Sequence, residues 1–181
     1  MAAMQNRGWD VLGIEPSAEC ISQTHARGCA VLKPEDIARL PDHSSDCIMI
    51  WHVLEHVPDF AETLSHIRRL LRSDGTCIIA VPNCASWEAK IYGTFWSAWD
   101  VPRHRWHFTH VTLTHAIEHA QMTLTRIAST VCDPVYICLR STQYGGTSTI
   151  LGWIRALRST WIGMRNPTRA SVIVVTMKPT A

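Results

Sequence analysis

The chain has 181 residues, 46% hydrophobic and 18% charged, with a net charge of +2, which suits one globular domain with a core of its own. It contains no run of about 18 uncharged apolar residues and no basic, apolar and small-residue leader, so the expectation is a soluble, cytoplasmic protein. Its seven cysteines are an odd count and include no CxxC pair, so neither a zinc knuckle nor a complete disulfide framework is suggested and reduced thiols are the better reading. Charge is unevenly spread: six of the 17 basic residues, but none of the 15 acidic ones, follow Asp133. Such a section marks either an anionic partner or, more ordinarily, a solvated face.

In chain order, "DVLGI" (Asp10 to Ile14) is a short apolar run stopped by Glu15 and Pro16, suited to a buried strand. Ser17 is placed to cap a helix running to Arg27, with Gly28 as its stop. "AVL" at 30–32 reads as a second strand and "PEDIARLPDHSS" as a loop. "DCIMIWHV" from Asp46 is continuously apolar, as expected of a strand covered on both faces. Asp59 and Glu62 then form a D-x-x-E start for a helix carrying Phe60, Leu64, Ile67 and Leu71 on one stripe, with Arg68, Arg69 and Arg72 at its negative end and Gly75 as terminator. "TCIIAVPN" from Thr76 is another buried strand. Strands alternating with helices over short connections predict an α/β domain with a mainly parallel sheet.

Residues 85–108 are rich in Trp, Tyr and Phe without clean periodicity and read as an aromatic insertion over the ligand edge of the sheet. A helix near Thr112 to Gln121, a strand near Leu124 to Val131 and a final strand "SVIVVTM" from Ser171 follow. Between the last two, Ile150, Trp153, Ile154, Leu157 and Trp161 share a helical stripe, with Arg155 and Arg158 off it. Packing of that stripe onto the sheet is the ordinary expectation; resting on a membrane surface is the alternative.

Four stretches in this order, "GWDVLGIEPS", "LPDHSSDCIMIWHVLEHVPD", "LLRSDGTCIIAVPN" and "WDVPRHRWHFTHVTL", resemble the class I S-adenosylmethionine-dependent methyltransferases, in particular the type 11/23 group. The resemblance covers about Arg7 to Gln121 and implies a Rossmann-like sheet with helices on both faces and S-adenosylmethionine as cofactor. It places Glu15 at a strand end where an acid holds both ribose hydroxyls, Asp36 on the adenine amino group, Ile37 against the base and His52 along the methionine end. A strand-end acid would equally serve a nicotinamide dinucleotide, so Glu15 alone does not choose the cofactor. His52, Glu55 and His56 lie at i, i+3 and i+4, so one helical face could carry all three. Three readings stay open there: backbone lining of the cofactor, an acid–base role for His56, and metal ligation, which some relatives with Glu-x-x-Glu-His use. Because His52 stands where those relatives have the first Glu, no metal ligand is assigned. In "PRHRWHF", His104 and His107 are candidate general bases for a substrate hydroxyl, or simply partners of loop carbonyls beside Arg103.

The resemblance also implies a first strand and an acid-x-Gly-x-Gly loop ahead of "GWDVLGIEPS", yet the sequence opens on "MAAMQNRG". The expectation is a single domain over 1–181 that lacks its first strand, N-terminally truncated or a non-catalytic remnant, binding S-adenosylmethionine poorly in this form. The functional expectation is O-methylation of a small, apolar acceptor, with lipid-like acceptors and peripheral membrane contact within its range and no nucleic acid. The alternative is a non-catalytic methyltransferase-like module or partner subunit.

Overall fold

The computed structural model describes residues 1–180. The chain divides into two compact units, Met1–Asp42 and His43–Ala181.

In the first unit, α1 (Ala2–Gln5), β1 (Leu12–Ile14), α2 (Ala18–His25) and β2 (Ala30–Leu32) follow in order, and β1 and β2 pair in parallel. Ser17 caps α2 by accepting the Cys20 N–H, and Gly28 takes φ +74°, where a side chain would strain the turn. The expected loop after β2 holds a 3₁₀ helix, Pro34–Arg39, which begins on its proline because the fixed φ of Pro suits a first helical turn.

The second unit contains β3 (Ser45–Trp51), α3 (Phe60–Leu70), β4 (Leu71–Pro82), α4 (Trp87–Tyr92), α5 (His110–His119), β5 (Met122–Ser129), α6 (Asp133–Tyr144), α7 (Thr149–Arg165) and β6 (Val172–Pro179). Its sheet has the order β3-β4-β6-β5. β3 runs parallel to β4, whereas β6 is antiparallel to both β4 and β5.

Alternation along the two central strands builds two cores. Cys77, Ile79 and Val81 of β4 and Ile173, Val175 and Met177 of β6 face one side, where Leu64 and Ile67 of α3 and Leu113 and Ile117 of α5 cover them. Ala80, Val172 and Val174 face the other, under Ala89 and Tyr92 of α4, Ile137 and Cys138 of α6, and Ala156 of α7. Period-two side-chain placement in a strand requires a helical layer on each face once both sets are apolar, and each fully buried Ile or Val contributes about 2 kcal/mol. This is the expected Rossmann-like arrangement with helices on both faces.

Three local expectations are corrected. β3 is an edge strand with Met49 62% and Trp51 44% exposed, so its apolar run is not covered on both sides. α3 stops at Leu70 rather than at Gly75, because His43 donates its N–H to the Arg69 carbonyl and its ring binds the Leu71 carbonyl, meeting the orphan acceptors of the helix end. Arg72 therefore lies in β4. The Ile150 to Trp161 stripe does not pack on the sheet: α7 buries Gly152, Ala156, Ser159 and Gly163 instead.

The aromatic segment 85–108 is anchored from below. Asn83, fully buried, donates its amide to the carbonyls of Thr168 (3.0 Å) and Ala170 (2.9 Å) and accepts the Ala85 N–H (3.0 Å). Each such bond contributes about 1 kcal/mol, and loss of the side chain leaves buried acceptors without partners. Asn83→Ala is expected to lower unfolding stability by about 3 kcal/mol, measured by urea denaturation; a change near zero would show that this anchor is not needed.

Candidate functional site

His52 ends β3 in the left-handed region, at φ +53°, after donating its N–H to Ala80. That turn, which costs a non-glycine residue about 1 kcal/mol, carries the ring between two acids. Nδ1 lies 3.3 Å from Glu55 Oε1 and Nε2 3.7 Å from Asp133 Oδ2. The Asp133 carboxylate chiefly, with Glu55, raises the His52 pKa to about 9, against the opposing effect of burial. His52 is an imidazolium at neutral pH, and its charge in turn holds the Asp133 carboxyl below its usual range. His52, Glu55 and His56 do not share a helical face, because no helix forms here before Phe60.

The structure joins the two histidine-bearing segments. The Glu55 carbonyl accepts the N–H groups of Arg105 (2.8 Å) and Trp106 (3.2 Å), and the Trp106 indole N–H donates to the Val57 carbonyl at 2.9 Å. Phe60 stacks edge-on against both Trp106 and Phe108. Arg103 pairs with Asp100 at 2.7 Å, tying the loop to itself. Strand end and aromatic loop are thus pinned face to face by backbone bonds that any sequence could make and by rings that only this one supplies.

Every candidate base in this cluster also binds a backbone carbonyl. His56 uses Nδ1 on Arg103 (3.1 Å), His104 Nδ1 on Ala98 (2.9 Å) and His107 Nε2 on Trp99 (2.9 Å). A carbonyl only accepts, so each of those nitrogens carries the proton, and the neutral ring keeps its lone pair on the other one: Nε2 of His56 and His104, Nδ1 of His107. Orienting the ring and freeing a basic nitrogen are therefore one act. Burial lowers the His104 pKa. The His56 and His104 rings meet at 4.7 Å between centroids. Glu55 is 1% exposed, and its Oε2 has no hydrogen-bond partner among the described residues. Ligand atoms of Glu55, His56 and His104 lie within 4.8 Å of one another, close enough for a small divalent cation.

Next to the loop lies a cavity of about 460 Å³ lined by Thr94, Trp96, Ser97, Trp99, Asp100, Val101 and Tyr144. The Trp99 ring also meets His107 edge-on, with 5.1 Å between ring centroids.

In the first unit, Glu15 follows β1, half-buried, and its Oε1 accepts the Ser17 N–H at 2.8 Å, which fixes the carboxylate at the strand end. Asp36 and Ile37 sit half-buried in the 3₁₀ helix, with Asp36 held by Arg39 at 2.8 Å. Asp133, partner of His52, escaped sequence reasoning along with all of α6. The signal was present in "CDPVYICLRSTQY", an acid and a proline at a helix start followed by apolar residues.

The sequence profile of a family described as methyltransferase domain matches residues 1–127. An uncharacterized 37.1 kDa protein in transposon TN4556 of Streptomyces fradiae is 35% identical over 79 residues, 40% of this chain and 23% of that protein, so the match spans less than a quarter of that relative. Among solved structures, a SAM dependent methyltransferase from Archaeoglobus fulgidus superposes with a TM-score of 0.66 at 18% identity, over 98% of this chain and 79% of that one. A 1,6-didemethyltoxoflavin-N1-methyltransferase from Burkholderia thailandensis, solved with S-adenosylhomocysteine bound, gives 0.55 at 17% identity over 99% and 65%. At such identities the likeness to these structures is one of fold.

The His52 clamp has a pH signature. Its folded-state pKa is raised from 6.5 to about 9, so its stabilisation is full below pH 6.5 and disappears as pH climbs through about 9. His52→Gln is expected to melt below the wild type at pH 6 and to converge with it above the folded-state pKa; a constant gap in melting temperature across that window would contradict the ion pair.

Proposed function

The chain belongs to the methyltransferase-domain family, whose cofactor is S-adenosylmethionine, and from that premise we propose that it methylates an oxygen of a small, apolar, lipid-like acceptor in the cytoplasm. The observation that carries the acceptor side is the junction of the 52–56 and 103–108 segments, which gathers ligand atoms of His56 and His104 beside the buried Glu55 carboxylate.

Each proposed cofactor residue has the chemistry its role needs. Glu15, oriented by Ser17, offers carboxylate oxygen to ribose hydroxyls. Asp36 accepts from an adenine amino group, and Ile37 gives the base an apolar surface. His52, held cationic, suits the carboxylate of the methionine portion better than its positive sulfur. When bound, S-adenosylmethionine supplies an activated methyl group, so the protein's task is alignment and proton removal. Nε2 of His104 takes the acceptor hydroxyl's proton, with His56 and His107 as neighbouring bases, while Trp96, Trp99 and Val101 offer an apolar acceptor a hydrophobic surface.

A second reading of the same cluster is favoured by the uncommitted Oε2 of Glu55. In it, Glu55, His56 and His104 hold a divalent cation that positions the hydroxyl.

The test uses the protein at its natural length, labelled S-adenosylmethionine and a panel of phenols and long-chain alcohols. Glu15→Ala is expected to weaken cofactor binding about tenfold, as loss of a charge-assisted hydrogen bond does. His104→Ala should leave that affinity unchanged and lower kcat about 100-fold, the contribution of one general base. Loss of activity on chelation would move the assignment to the metal reading. Absence of both cofactor binding and label transfer, in a stable oligomer by light scattering, would instead support a non-catalytic partner subunit.

A further inference from the structure

α7 is docked with its small residues inward. Gly152 approaches Thr142 of α6 so closely that a Cβ there would lie 2.9 Å from its hydroxyl oxygen, and one on Gly163 would lie 3.1 Å from Ala170. Ala156 and Ser159 complete that buried face. At 100° per residue the opposite face carries Ile150, Trp153, Ile154, Leu157, Trp161 and Met164, which are between 49% and 74% exposed. Six large apolar side chains in one stripe, none of them covered, form a contiguous patch of the kind that marks an interaction surface.

The flank of the stripe identifies its partner. Arg158 and Arg165 are exposed beside it, α7 contains no Asp or Glu, and no acidic residue follows Asp133. Arg165 lies over the Trp161 ring of the stripe at 4.4 Å, which holds that cation against the apolar face, while Arg158 lies over the Trp87 ring of α4 at 4.9 Å on the flank of the helix. An exposed apolar face with tryptophan, flanked by arginine as the only charged residue type of the helix, is the pattern of a helix lying in a bilayer interface. With 17 residues and several arginines it is not built to cross one, and no described helix is long and apolar enough to do so. Two copies of this surface brought together would oppose arginine with arginine and offer no carboxylate from either helix, which disfavours self-association.

We propose that the exposed stripe of α7, flanked by Arg158 and Arg165, seats the protein on an anionic lipid surface. The apolar side chains enter the acyl boundary while the guanidinium groups meet lipid phosphates. This does not rest on the methyl-transfer assignment, and its failure would leave cofactor binding untouched.

Co-sedimentation of the full chain with phosphatidylcholine vesicles, with and without phosphatidylglycerol, tests it. The wild type is expected to partition at least about tenfold more into the anionic vesicles and to come off as salt is raised. Leu157→Ser with Trp161→Ser should abolish partition into both, and Arg158→Glu with Arg165→Glu should remove the preference for anionic lipid. All four side chains are exposed, so unchanged circular dichroism will confirm that the variants fold. Equal or absent partition of the wild type would overturn the proposal, as would stripe variants that still bind. A stable dimer in light scattering that Leu157→Asp dissolves would assign the stripe to a second copy instead.

Discussion

The geometry around the candidate site depends on Glu55. Its carbonyl accepts two backbone N–H groups from the 105–106 segment, and its carboxylate, almost wholly buried, is paired on one oxygen with His52. Burying a carboxylate is costly unless an opposite charge and hydrogen bonds accompany it. The imidazolium of His52 therefore belongs to the same structural unit as the acid, and Asp133, at the start of α6, completes it. Glu55 thereby ties the end of β3 to the aromatic loop, and through His52 to the start of α6.

Around that junction the histidines do two things with one ring. Binding a loop carbonyl through one nitrogen fixes the plane and the tautomer, which leaves the other nitrogen unprotonated in the neutral ring. A choice between structural and chemical histidines is thus not forced by this architecture. The loop that carries them is itself held by Asn83, whose amide reaches the turn before β6. The site is consequently supported from the central strands rather than from its own flexible connections.

α7 shows the reverse of the usual economy of an amphipathic helix. Close approach to α6 demands glycine, alanine and serine on the inner face, and the larger apolar residues are left on the outer one. Periodicity alone identifies a stripe but carries no sign: the same spacing of Ile150, Trp153, Leu157 and Trp161 fits a core face or a surface face.

Local chemistry was legible from residues close in sequence. Ser17 and Asp59 as helix caps, Ala30–Leu32 as a strand, and the continuous apolar runs of β4 and β6 as strands follow from local residue pattern and from hydrogen bonds spanning a few positions. The family resemblance rested on the same short motifs, and it assigned Glu15, Asp36, Ile37 and His52 to cofactor roles without needing distances. What required the tertiary structure was every relation between remote residues: Asp133 beside His52, Arg105 on Glu55, His43 ending α3, β3 at a sheet edge, and the outward turn of α7. The physical reason is that burial and ion pairing are set by which surfaces meet, and nothing within a window of ten residues specifies the partner.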